Sequence, residues 1–158
     1  LKPWLQHLIA RLNPPNDDIV IILQCPDNLN LQLRASALAT VLSHLLENAL
    51  IHAFDAGTTG EIKLQVSCQR QQLLITVTDN GKGIDSSIKD NVFNPFVTTR
   101  RASHSKGLGL HLCYNLVTQV LMGTIDMKTE AGTGCTFTLA LPLDADKPNN
   151  GHTNENMG

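Results

Sequence analysis

Four short segments carry residue types able to do chemistry, and they occur in a fixed order along the chain. Asp79-Asn80-Gly81-Lys82-Gly83-Ile84 sets a carboxylate where a β-type run gives way to a glycine loop. Two glycines let backbone come close to a flat ligand, and a fixed carboxylate accepts a hydrogen bond from an exocyclic amine. Adenine offers that donor, whereas guanine offers an acceptor there, so an acceptor facing it rejects guanine. The same residues also suit a hairpin-exit turn with an Asx motif, and alone they leave both readings open. Ser105-Lys106-Gly107-Leu108-Gly109-Leu110 opens a helical run, where free amide N–H groups and the positive end of the dipole suit phosphate oxygens. Arg100, Arg101 and Lys106 lie in or beside the preceding loop with no acid among them. Glycines there also serve simple entry into a helix. His44-Leu45-Leu46-Glu47-Asn48-Ala49 puts an asparagine inside a helical run, a low-propensity place whose amide needs partners if it faces inward. An Asn merely packed or solvated is the other reading. Gly132-Thr133-Gly134 is on its own only a hairpin turn.

The elements that must position these residues follow from periodicity. Residues 2–12 form a short amphipathic helix with Leu5, Leu8, Ile9 and Leu12 at helical spacing, stopped by Asn13-Pro14-Pro15. Ile19 to Cys25 is a β-branched strand closed by Pro26-Asp27-Asn28. Ser36 is the expected N-cap of a long helix through about Phe54, with Leu38, Val41, Leu42, Leu45, Leu46, Ala49 and Ile51 as its apolar face. Asp55-Ala56-Gly57 ends it. Glu61 to Cys68 and Leu73 to Asp79 alternate as an antiparallel hairpin around Gln69-Arg70-Gln71, with one buried face. After the glycine loop come a short helical stretch near 86–91, a basic loop to Lys106 and a second long helix from Leu108 to Val120. A last hairpin, Thr124 to Glu130 and Cys135 to Leu141, turns at Gly132-Thr133-Gly134. From Asp144 onward almost nothing apolar is left to bury, which predicts a disordered tail. The sum is α+β: a two-layer α/β sandwich with a mixed, mostly antiparallel five-stranded sheet and helices on one face.

Composition narrows the function classes. With 158 residues, 42% apolar, the chain can build one sizeable core. Its net charge of -2 gives no global field toward nucleic acid or anionic lipid. Six aromatic residues and no basic-aromatic platform argue against single-strand nucleic-acid binding. Cys25, Cys68, Cys113 and Cys135 show no C-x-x-C pair and sit among apolar neighbours, as reduced core thiols of a cytoplasmic domain would. His44, His52, His104 and His111 lack the spacing and clustering of a zinc site. The first residue is Leu1 rather than Met, so the chain is expected to be a piece of a longer protein, a membrane part elsewhere being left open.

Asn48 in its helix, DNGKGI, the segment Phe93-Asn94-Pro95-Phe96-Val97-Thr98-Thr99-Arg100, GLGL and finally GTGCTF with LALP resemble the N, G1, F, G2 and G3 boxes of a sensor histidine kinase catalytic domain. They span roughly residues 36–142 in the family's order and spacing. The resemblance implies the Bergerat ATP-binding fold, shared with gyrase, Hsp90 and MutL-type ATPases, and phosphoryl transfer from ATP to a histidine. By that resemblance Asp79 binds the adenine amino group, with Gly81, Gly83 and Ile84 shaping the pocket and Thr136 in the last box beside it. Asn48 ligates Mg²⁺ and His52 lies beside the base. Residues from about 94 to 106 form an ATP lid, with Phe93 and Phe96 as hinge contacts and Thr99 within it. Gly107, Leu108, Gly109 and Leu110 present backbone to the phosphates, with charge from Arg100 and Lys106.

The departures from the family pattern are His44 where Asn is common and related ATPases carry Glu, Ser105 and Lys106 in the G2 box, and Cys135 for a frequent Thr or Ser. His44, Glu47 and Asn48 are the candidate catalytic residues, His44 toward phosphate and Glu47 as a polarising group. The resemblance further implies ATP and Mg²⁺ as ligands, a histidine-bearing dimerisation domain of the same polypeptide (a homodimer in the parent), and a downstream response regulator receiver domain. It implies neither nucleic acid nor direct membrane contact, for a cytoplasmic domain of a membrane-anchored sensor. Residues 1–15 are then a short helix or linker from the dimerisation region, 16–143 the catalytic domain and 144–158 the tail. His7 lacks the acidic neighbour of the usual phosphoacceptor box. Two rivals stay open: a nucleotide-binding regulatory module or pseudokinase without transfer, and a Bergerat-type ATPase or serine kinase.

Overall fold

The computed structural model describes residues 1–12, 14, 17–29, 31, 33–55, 57–84, 93, 109–130 and 132–143. Five strands form one open sheet in the order β1-β2-β3-β5-β4: β1 (Ile19–Gln24), β2 (Gly60–Gln69), β3 (Gln72–Asp79), β4 (Thr124–Glu130) and β5 (Gly134–Pro142). Only β1 and β2 run parallel, joined through a crossover helix. The other three pairings are antiparallel. The β2–β3 connection is a two-residue turn in which Arg70 and Gln71 both take positive φ, 49° and 63°. That is the mirror-image turn geometry whose twist matches the flanking strands.

Alternation decides which side of the sheet becomes core. Ile62, Leu64 and Val66 of β2, Leu73, Ile75 and Val77 of β3, and Phe137, Leu139 and Leu141 of β5 are all buried. Helix α2 (Ala35–Asn48) lays Leu38, Val41, Leu42, Leu45 and Leu46 into the same core, and α3 (Gly109–Asn115) adds Cys113. Helix α1 (Lys2–Ala10) joins it through Leu5, which is fully buried, and Lys2 pairs with Asp27 at 2.7 Å. Truncating Leu46 to Ala should therefore destabilise by about 2–5 kcal/mol, read as a lowered midpoint in urea with an unchanged slope. Among the described residues, no helix is long and apolar enough to cross a membrane.

Three local expectations change. Ser36 is not the N-cap: the cap position falls two residues earlier, at Arg34, with the helix starting at Ala35, and the Ser36 carbonyl accepts the Thr40 hydroxyl at 2.9 Å. The long helices are also not α-helical throughout, because α2 continues as a π turn over Ala49–Ala53 and α3 as a π turn over Leu116–Val120. Such turns mark functional sites in many helices, and the first one follows Asn48 directly. The four cysteines are free, but Cys68 is exposed at the end of β2 and Cys25 only half-buried, leaving Cys113 and Cys135 as core thiols. The helical stretch near 86–91, the basic loop to Lys106 and the tail from Asp144 lie outside the described residues.

Candidate nucleotide site

Asp79 is the last residue of β3, and alternation turns it to the inner face in line with Val77, Ile75 and Leu73. It is 7% exposed. Burial pushes its carboxyl above the ordinary carboxylate range, opposed by N–H donation from Gly81 and Cys135. The Gly81 N–H reaches Oδ1 at 3.0 Å. A carboxylate has about four acceptor positions, so the group can take further donors.

The loop after Asp79 is fixed on every side. Lys82 N–H donates to the Ala53 carbonyl at 2.8 Å, Gly132 N–H to the Lys82 carbonyl at 2.8 Å, and Asn80 N–H to Glu61 at 3.2 Å. The Asn80 side chain accepts the Glu61 N–H at 2.8 Å, and Lys82 Nζ lies 3.4 Å from Asp55. Ile84 N–H donates to the Thr129 hydroxyl at 2.8 Å. Gly81 is required by space, since a Cβ there would overlap the Ala53 carbonyl oxygen and lie 2.6 Å from its Cβ. The hairpin glycine Gly134 is required twice: its φ is +102°, and a Cβ would overlap the Asp79 carbonyl oxygen.

Helix α2 and its π turn form the neighbouring wall. Ala53 touches the Asp79 loop at one end, and His44 faces the start of α3 at the other, where a Cβ on Gly109 would lie 3.2 Å from His44 Nδ1. Nine residues separate these contacts, roughly 13 Å along a helix, the scale of an extended nucleoside triphosphate. Asn48 and His52 lie half-buried in between, whereas Glu47 points to solvent. Leu110 packs on the core just beyond Gly109. Phe93 wedges its ring between Tyr114 and Phe137, with centroids 5.8 and 6.1 Å away, and its carbonyl meets His111 Nδ1 at 3.1 Å.

The structure thus gathers Asp79, Gly81, Gly83 and Ile84 at one end of this wall and His44 and Gly109 at the other. Thr136 does not join them. The β3–β5 register pairs Asp79 with Cys135, so Thr136 falls on the opposite face, bonded to the Thr78 hydroxyl at 3.2 Å. The expected Thr136 contact is corrected for that reason. Phe96, Thr99, Arg100, Lys106, Gly107 and Leu108 lie outside the described residues. Sequence reasoning missed Thr129 and the Ala53 carbonyl. An in-facing polar residue in an alternating strand carries no mark of its own, and a backbone acceptor leaves none. Cys135, opposite Asp79, has its thiol pushed up to about 12, by burial first and by the Asp79 charge second.

A family defined as histidine kinase-, DNA gyrase B- and HSP90-like ATPases matches residues 34–145. The chain belongs to that family. It is 38% identical over 122 residues to the alginate biosynthesis sensor protein KinB of Pseudomonas aeruginosa, covering 77% of this chain and 20% of that protein. It is 34% identical over 139 residues to the sensor histidine kinase ZraS of Escherichia coli K12, covering 82% and 29%. The chain therefore spans a fifth to under a third of the length of these relatives. The catalytic domain of histidine kinase ThkA, in a nucleotide-free form, shares the fold with TM-score 0.76 at 23% identity, covering 90% of this chain and 92% of that one. Full-length ShkA in complex with AMPPNP matches with TM-score 0.75 at 22% identity, covering 89% and 29%. The α+β expectation and the resemblance to histidine kinase catalytic domains both hold. In this histidine kinase-type domain the buried carboxylate is the first residue of the DNGKGI segment.

Proposed function

We propose that the chain is the ATP-binding catalytic domain of a sensor histidine kinase, passing the γ-phosphoryl group of ATP to a histidine on a dimerisation domain of the same polypeptide. The observation that carries this is Asp79: a buried carboxylate held by backbone N–H groups at the mouth of a glycine loop. Adenine is read there by its exocyclic amine. The triphosphate runs along α2 toward His44 and Gly109, so the site binds and orients rather than reacting covalently, as phosphoryl transfer requires. In the transfer the bond from Pγ to the β-phosphate bridging oxygen breaks, the histidine nitrogen bonds to Pγ, and ADP leaves.

Asn48 supplies a half-buried carboxamide oxygen on the wall between the two ends. Among the described residues no group of three or more His, Cys, Asp or Glu is placed to hold a metal. A lone hard oxygen donor fits Mg²⁺ arriving with phosphate oxygens and keeping its waters. When bound, that ion supplies charge neutralisation for the phosphates. The missing Cβ at Gly109, on this reading, leaves room for them, and His44 donates a hydrogen bond beside them. On this reading residues 16–143 are the catalytic unit, α1 leads in from the dimerisation region while seated through Leu5, a receiver domain is the next phosphoryl acceptor, and the setting is the cytoplasmic side of a membrane-anchored sensor.

A second reading, a nucleotide-binding regulatory module without transfer, draws on His44 standing at the Gly109 approach where a smaller side chain is common in the family. Incubating the chain with γ-labelled ATP and the parent's histidine-bearing hairpin separates the two. Label on the hairpin, unchanged or faster with His44→Asn, is the expected result. Nucleotide bound with no label transferred by either form would favour the module.

A further inference from the structure

Two polar side chains are buried among the described residues, Asp79 and Thr129, and they occupy the same corner of the fold. Thr129 is 7% exposed, next to last in β4, and paired with Cys135, which in turn pairs with Asp79. Its hydroxyl accepts the Ile84 N–H at 2.8 Å and donates its one proton to the Gly134 carbonyl at 3.0 Å. A single hydroxyl thereby bridges the two segments that flank Asp79: the glycine loop on one side and the β4–β5 turn on the other. The Gly132 N–H bond to the Lys82 carbonyl closes the same bridge a second time. Gly134 bears directly on the Asp79 backbone. Resting on the adenine reading above, we propose that Thr129 is a positioning residue for nucleotide recognition: it sets the loop that aims the Asp79 carboxylate without touching the base.

Removing the hydroxyl would leave a half-buried N–H and a buried C=O without this partner. The Ile84 end of the loop would then lose its tie to β4, leaving the contacts at Asn80, Gly81 and Lys82, and would open more often. Thr129→Val keeps the shape and removes the hydrogen bonds, while Thr129→Ser restores them in a smaller side chain. The comparison is Mg·ADP and Mg·GDP titration of wild type, Thr129→Val, Thr129→Ser and the core variant Val117→Ala, together with amide hydrogen exchange at residues 81–84 of the nucleotide-free chain. The expected result is an ADP affinity about tenfold weaker in Thr129→Val, a narrowed ADP-over-GDP preference and faster exchange at Ile84, all largely restored in Thr129→Ser. Val117→Ala should lose stability while keeping ADP affinity. Folded Thr129→Val with wild-type ADP affinity, or affinity loss no greater than in a Val117→Ala of equal stability, overturns the role. Wild type that binds neither nucleotide overturns the adenine reading itself, and this role with it, whatever the exchange shows.

Discussion

Asp79→Asn is expected to weaken ADP binding about 10- to 100-fold, the worth of a hydrogen bond to a charged acceptor, without unfolding the domain. The reason lies in the donor and acceptor count. An asparagine at position 79 has one carbonyl oxygen, and the Gly81 N–H at 3.0 Å claims it. Its NH2 group is then what faces the ligand, donor against the donor of adenine, and the ADP-over-GDP preference should narrow or invert. Stability should move the other way. Burial is the leading influence on Asp79 and raises its pKa, the two N–H groups offsetting only part. The native state thus holds that proton more tightly than the unfolded chain does. Stability from this group is fully present below the ordinary carboxylate range and is lost as pH rises through the raised value. At pH 7 the neutral Asn avoids the burial penalty, so thermal denaturation should show a melting temperature equal to or above that of wild type, the difference shrinking as pH falls. A variant that binds ADP normally, or that melts far lower at pH 7, would contradict the assignment.

Gly134→Ala is expected to do the opposite, damaging fold and site together. The residue sits at φ +102°, and its Cβ would overlap the Asp79 carbonyl oxygen. The left-handed backbone and the clash with main chain together cost on the order of 3 kcal/mol, about 10 °C in melting temperature for a domain of this size. The backbone of Asp79 cannot give way without disturbing the β3–β5 ladder, where Asp79 pairs with Cys135. ADP binding should therefore fall with stability. Gly132→Ala serves as the comparison, since Gly132 also has positive φ, +83°, but nothing lies within 4 Å of its Cβ. It should show the smaller, purely conformational part of the effect.

How much of this could be read in advance differs by kind of information. The sheet was legible because Ile62, Leu64, Val66 and Leu73, Ile75, Val77 alternate cleanly, and one buried face follows from that pattern. Asp79 was legible because a carboxylate continues the same alternation into a glycine loop, so its burial and its motif coincide. The π turns were not legible. Over Ala49–Ala53 one extra residue per turn is too slight a change of period to detect in five residues. The face that Thr136 takes was not legible, because membership in a motif says nothing of parity, and a single step along β5 reverses the side. Thr129 escaped for the converse reason: alternation puts it inside, but only the partner strand and the loop at Ile84, 45 residues away in sequence, give its hydroxyl a task. Ser36 had the right chemistry for a cap, yet the helix begins at Ala35 with no side chain closing its N-terminus.

The most direct test of Asp79 as the group that reads adenine is calorimetric titration of the wild-type chain with Mg·ADP, with Mg·GDP as the matched control. The expected result is saturable binding of ADP to a single site, with GDP at least about tenfold weaker because an acceptor meets an acceptor at Asp79. A folded chain that binds neither nucleotide, or both equally, would contradict it.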